Sequence, residues 1–160
     1  MSDHFPGRIS IGGPIPRGLL TELIRVAAGE GASLDGYGGP AATETILKEA
    51  FCQGAIVALC DDQARNGQFD SLETFLVKHR IHFDRYSEAF CEYNAEVVRY
   101  RGGNEAVVMP ADQNGNVLLD REEVAAVLED TSLKAQAKVK AIRRLVNPPD
   151  TEPLSPIRFL

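Results

Sequence analysis

The sequence predicts an α+β fold, with α/β as the alternative, built as one domain on a mixed sheet with crossover helices. Three observations carry this expectation. Residues 54–90 run in the order apolar strand-length segment, helical periodicity, alternating segment. Asn114-Gly115, the preferred two-residue hairpin turn, stands between two short apolar runs. Two helix-like segments with no strand between them then close the domain ahead of a proline-rich end.

Ile9–Ile15 reads as a strand, and Gly12-Gly13-Pro14-Ile15-Pro16-Arg17-Gly18 leads into a helix with Leu19, Leu20, Leu23, Ile24 and Ala27 on one side. A glycine-rich turn before a helix start can hold an anion on backbone N–H groups, so Gly12, Gly13 and Arg17 are candidate anion-binding residues. The segment lacks the Gly-Lys-Ser/Thr ending of a phosphate loop, and Pro16 serves equally well as a helix starter. Gly29–Gly39 reads as a flexible, glycine-rich loop with Ser33–Tyr37 as a short extended candidate. Pro40 opens a helix through Thr43–Phe51, with Ile46, Leu47, Ala50 and Phe51 as its buried stripe.

Ala55–Cys60 is an unbroken apolar run ending at Asp61 and Asp62, the pattern of a central strand buried on both faces. Asp70 with Glu73 reads as an N-cap pair for a helix whose stripe is Leu72, Phe75, Leu76 and His79. Ile81–Asp84 then alternates as a strand, and Glu96–Arg101 follows closely enough to pair with it. Leu34-Asp35-Gly36-Tyr37 aligns with Phe83-Asp84-Arg85-Tyr86, which makes 7–40 and 54–90 a candidate duplication of one βαβ unit, on few identities.

Three groups of residues in this stretch invite a chemical reading. Acids at the C-terminal ends of strands often hold magnesium or act as bases, so Asp61, Asp62 and Asp84 form a candidate metal set; a solvated loop entry is the ordinary alternative. His79 and His82, with Cys91 downstream, straddle a helix-to-strand boundary and lack a second ligand pair. Tyrosine and arginine alternating over Ala95–Arg101 suit base stacking, but Glu88, Glu92, Glu96 and Glu105 favour a salt-bridged, solvated face.

The segment Asp112–Glu123 resembles a calcium-binding EF-hand loop. Asp112, Asn114, Asn116, Asp120 and Glu123 supply oxygen side chains at positions one, three, five, nine and twelve, with Leu119 at the apolar eighth. Val117 replaces the glycine of position six, and Ala106–Met109 reads as a strand where an entering helix belongs. A hairpin accounts for the same residues: Asn114-Gly115 is its turn, Leu118 and Leu119 lie in the returning strand, and Asp120 with Glu123 caps a helix through Val124, Val127 and Leu128.

Thr131 or Ser132 caps the last helix, which runs to about Val146 with Ala135, Val139, Ile142 and Val146 as a narrow apolar stripe. Lys134, Lys138, Lys140, Arg143 and Arg144 make it basic and, with Phe159, form a candidate interface; docking on its own domain or on a second copy is the simplest role. The domain spans 1–147. Residues 148–160 form a proline-rich extended tail, a strap across the domain anchored by Phe159 or a docking peptide for another chain.

The net charge of −6 conceals an asymmetry: residues 1–130 hold 11 Lys and Arg against 21 Asp and Glu, while 131–145 hold five basic residues and no acid. An acidic body is repelled by bare nucleic acid and attracted to basic surfaces. Cys52, Cys60 and Cys91, odd in number, fit a reducing compartment, and neither a leader pattern nor a membrane-length apolar run is present, so a soluble, cytoplasmic protein is expected. No cofactor is expected. The leading function class is a small binding or regulatory protein whose acidic surface meets a macromolecular partner, including an inhibitor or nucleic-acid charge mimic. A divalent-metal enzyme acting on a phosphorylated substrate is the alternative, and a structural or oligomeric subunit is the third class.

Overall fold

Five strands form the central sheet of the computed structural model, which describes residues 3–160. They are β1 (His4–Gly12), β3 (Val57–Arg65), β4 (His82–Ser87), β5 (Glu96–Tyr100) and β6 (Val107–Pro110), ordered β3-β1-β4-β5-β6. Every ladder in this sheet is antiparallel. The fold is therefore α+β. The crossover read from 54–90 is real, but β1 intervenes: β3 and β4 run the same way on either side of it, joined by α3 (Asp70–Lys78). Parallel pairing itself is confined to a two-stranded ribbon of β2 (Pro14–Ile15) and β7 (Arg158–Phe159).

Alternation decides which face is covered. Along β1, Phe5, Ile9 and Ile11 turn to the core while Arg8 and Ser10 turn away, and on β4 Phe83, Arg85 and Ser87 share the core side. Helices α1 (Leu20–Gly29), α2 (Glu44–Cys52) and α3 pack on that side, burying Leu23, Leu47, Phe51, Leu72 and Leu76 completely. Thr43 caps α2 by accepting the Ile46 N–H. Of the stripe expected on this helix, Ile46 is exposed, because α2 turns only Leu47 and Phe51 fully inward.

Phe69 rather than Asp70 holds the cap position of α3, and the Glu73 carboxylate reaches back to the Phe69 N–H at 3.0 Å. The run at Ala55–Cys60 belongs to an edge strand rather than a central one, and β3 continues through Asp61 and Asp62 to Arg65. Its outer edge is closed by a bridge in which Ser33 and Cys60 exchange both backbone hydrogen bonds. This bridge stands where the later βαβ unit has the whole of β4.

Arg85 is 4% exposed, although it faces the helices. Its guanidinium pairs with Glu73 at 2.9 Å and Glu96 at 2.6 Å and also donates to Ser87 Oγ, tying the start of α3 to the sheet. A buried cation is tolerable only with such compensation.

Past β6 the chain turns through Asp112–Asn116, and the returning limb is a single bridge, Ala111 with Val117, plus a Leu118 N–H to Pro110 hydrogen bond. Leu118 and Leu119 are exposed rather than paired in a strand. An arm of two helices follows, α4 (Arg121–Glu129) and α5 (Ala135–Val146), packed on each other. Neither buries a single residue. The cap of α5 falls at Lys134, two residues later than Ser132 and three later than Thr131, because the Asp130 carboxylate accepts from the N–H and hydroxyl of Ser132 and holds 130–133 as a turn.

The tail then returns to the sheet as a strap on its own domain. Arg99 donates to the Thr151 carbonyl at 2.8 Å, Arg101 to the Glu152 carbonyl at 2.7 Å and 2.9 Å, and Ile157 enters the main core. Ile157 rather than Phe159 is the buried anchor.

Candidate functional site

The sheet face turned away from α1–α3 is only partly covered. A small cluster of Ala95, Val97, Met109 and Ala111, packed against Tyr86, Val107 and Val117, fills the β5–β6 end. Beside it Arg8 stands opposite Tyr86, Ser10 opposite Asp84, and Asp84 opposite Arg99. Tyr37, from the glycine-rich loop, and the turn at Gln113–Gly115 wall this area into a cleft of about 370 Å³, near the lower end of the usual ~300–1,000 Å³ for small-molecule sites.

Most polar groups here are already engaged. Asp84 pairs with Arg101 at 2.7 Å and more loosely with Arg99 at 3.9 Å, the two arginines that hold the strap. Tyr86 donates its hydroxyl to the Asp112 carbonyl at 3.3 Å. Burial, then the Cys60 and Glu88 charges, push the Tyr37 phenol up to about 12 against the opposing pull of Arg8. Tyr86 is raised by burial and by Glu88, and the Cys60 thiol by burial, with Arg8 opposing both. All three groups keep their protons at neutral pH. Cys60 is therefore a thiol rather than a nucleophilic thiolate.

The residues singled out from the sequence lie elsewhere or serve the fold. Asp61 stands opposite Gly7 and Asp84 opposite Ser10, with β1 between the two acids, and Asp61 and Asp62 alternate across the sheet. Asp61 accepts the Gln63 N–H within β3, where the pairing with β1 shifts register between Gly7–Asp61 and Phe5–Ala64. Among the described residues no group of three or more His, Cys, Asp or Glu is placed to hold a metal ion. His79 packs on the Phe75 ring at 4.4 Å, and His82 is held below its ordinary value by burial and then by Arg101.

Asp112 is the knot of its turn: its carboxylate accepts from the backbone of Asn114 and Asn116 and from the Asn116 side chain, at 2.8 to 2.9 Å, which lowers its pKa. Asp120 instead caps α4 through the Glu122 N–H at 2.7 Å, with Glu123 in the helix's first turn. The anion candidates hold the strap. Gly13 donates to the Ser155 carbonyl at 2.8 Å, a side chain on Gly12 would collide with that carbonyl, and Arg17 lies 5.4 Å over the Phe159 ring.

The second candidate is a surface. Ala135, Gln136, Val139, Lys140 and Arg143 line a shallow, largely apolar groove along α5, and Val139, Val146 and, from α4, Leu128 are exposed. Lys134, Arg143 and Arg144 project from the same helix, while Lys138 is tied back to the Leu128 carbonyl. The expected stripe is split: Ile142 is half-buried, as are Ala141 and Leu145, while Ala135, Val139 and Val146 are exposed.

Sequence reasoning singled out the basic helix but missed the cleft. The signal for the cleft was the strict alternation of Arg8 and Ser10 with Ile9 and Ile11, which marks an open sheet face. Among the described residues no helix is long and apolar enough to cross a membrane. No family model, no curated protein and no solved structure matches this chain.

Proposed function

We propose that this is a small binding protein that acts on a macromolecular partner through its charged surface, with the α4–α5 arm as the contact element. One observation carries the reading: two helices of nine and twelve residues, one strongly basic, bury nothing against the body. An amphipathic helix that leaves an apolar stripe uncovered is the usual form of a helix-in-groove or groove-for-helix contact. The occupant that fits is a protein helix with an apolar stripe flanked by carboxylates, since the groove is lined by the apolar Ala135 and Val139 together with the cationic Lys140 and Arg143. The acidic body supports this choice, because its net negative charge disfavours an acidic partner elsewhere while α5 attracts it. Free thiols at Cys52, Cys60 and Cys91 support a reducing, cytoplasmic setting.

The reading drawn from net charge, an acidic surface meeting a basic partner, is favoured by the five acids at Asp120, Glu122, Glu123, Glu129 and Asp130, all exposed on the same arm. Fluorescence anisotropy separates the two. The probes are an amphipathic helical peptide with a leucine stripe flanked by glutamates and its lysine-flanked counterpart. The glutamate peptide should bind at least tenfold tighter, and Lys140→Glu with Arg143→Glu should reverse the preference. Tighter binding of the lysine peptide, lost in Glu122→Lys with Glu123→Lys, would instead establish the acidic reading. No preference, or one that ignores both pairs of substitutions, would remove the arm from the account.

A further inference from the structure

The cleft on the open sheet face contains two charges with no partner. Asp84 and Arg99 are neutralised by each other and by Arg101, and Arg85, whose backbone also lines the cleft, sends its side chain to Glu73 and Glu96 on the opposite face. Arg8 and Glu88 remain. Neither makes an ion pair or a side-chain hydrogen bond among the described residues, yet both lie close enough to bear on Tyr37 and Tyr86 together. Backbone pairing fixes their placement: Arg8 faces Tyr86 across the β1–β4 ladder, and the Glu88 N–H is held by the Pro6 carbonyl at 3.0 Å.

We infer that this cleft binds a small zwitterion of α-amino-acid size, its carboxylate on the Arg8 guanidinium and its ammonium on the Glu88 carboxylate. A guanidinium presents a fork that matches a carboxylate, and a lone carboxylate accepts a charge-assisted hydrogen bond from an ammonium, whose other donors are left for neutral acceptors. The protonated hydroxyl of Tyr37 and that of Ser10 add neutral partners, and Val97 offers apolar contact to the ligand's side chain. A simple anion fits less well, because Glu88 and Asp84 line the same space. A simple cation meets Arg8. Only a molecule with both charges satisfies both residues. Tyr37 stands between Gly36 and Gly38, both at positive φ, and is 44% exposed, so this wall is the entry side.

The test uses the full chain and needs no known ligand. Thermal melts and titration calorimetry would be run with each of the common L-amino acids at millimolar concentration, followed by the N-acetyl and carboxamide forms of the best one. At least one amino acid should raise the melting temperature saturably, and masking either charge should weaken binding tenfold or more. Arg8→Gln and Glu88→Gln, both of surface-facing side chains, should each abolish the shift while leaving the unliganded melting temperature in place. Three results would overturn the proposal: no response to any amino acid; an N-acetyl form that binds as well as its parent, which describes an anion site; or binding that survives both substitutions. The masked ligands act on the unsubstituted protein, so the outcome does not hinge on a variant that fails to fold.

Discussion

The helices α1–α3 and the helices α4–α5 are built from similar amounts of apolar residue, but they meet opposite fates. Each of the first three sinks at least two side chains into the main core, and the polar ties between them are long-range: Glu30, at the end of α1, accepts the Leu72 N–H of α3 at 2.8 Å. The arm has no buried residue, and its hydrogen bonds beyond the helical ladders are local, such as Asp120 to Glu122 and Asp130 to Ser132. It is also an excursion. Chain order places it between β6 and the strap, and both of those belong to the body. Helices α1–α3 hold the fold together, whereas the arm is carried by it and keeps its apolar face for another molecule.

That contrast is breakable by substitution. Phe51→Ala, at a fully buried position of α2, should cost about 3–5 kcal/mol in urea denaturation. Ile157→Ala should cost about 2–5 kcal/mol, because the strap is part of the core despite following the arm in sequence. A loss below about 0.5 kcal/mol there would show that the tail is a surface appendage. The third comparison uses one chemistry in both regions. Thr43→Ala should lower global stability by about 1 kcal/mol, while Asp120→Ala should leave it within about 0.5 kcal/mol and instead speed amide exchange in α4.

The smallest effect is a pH slope from Glu30. Burial raises its pKa above the ordinary 4.5, outweighing the Leu72 N–H that lowers it. The folded state then holds that proton to higher pH than the unfolded chain, so its contribution is present below about 4.5 and is lost as pH rises through the raised value. Glu30→Gln keeps an acceptor for Leu72 and should flatten the denaturation midpoint between pH 4 and 7. An unchanged profile would mean that the Glu30 environment is wetter than its position implies.

Local signals in the sequence were partly faithful. Alternation over Ile81–Asp84 and the Asp120 cap appear where the pattern puts them, whereas the helix expected to open at Pro40 starts at Glu44 with Thr43 as its cap, and the turn expected on Asn114-Gly115 is a three-residue loop, 113–115, with Gly115 at its positive-φ end. Long-range relations were not legible. Ala55–Cys60 reads as a doubly buried strand, because nothing in a row of apolar residues says that β1 will take the centre and leave β3 at the edge. Arg85 falls by alternation on the face of Phe83, but no local pattern shows that Glu73 and Glu96, from a helix and another strand, neutralise it there. The cleft draws Arg8, Tyr37, Glu88 and Asn114 from four separate segments, and no spacing within one segment could announce it.

Native-state hydrogen exchange, recorded with and without the glutamate-flanked helical peptide, addresses the division of labour most directly. The account predicts that without peptide the amides of α1–α3 exchange near the global limit and those of α5 by local opening, and that peptide raises protection in α5 while leaving α1–α3 unchanged. Equal protection of the two regions without peptide, or protection gained in α1–α3 and not in α5, would contradict it.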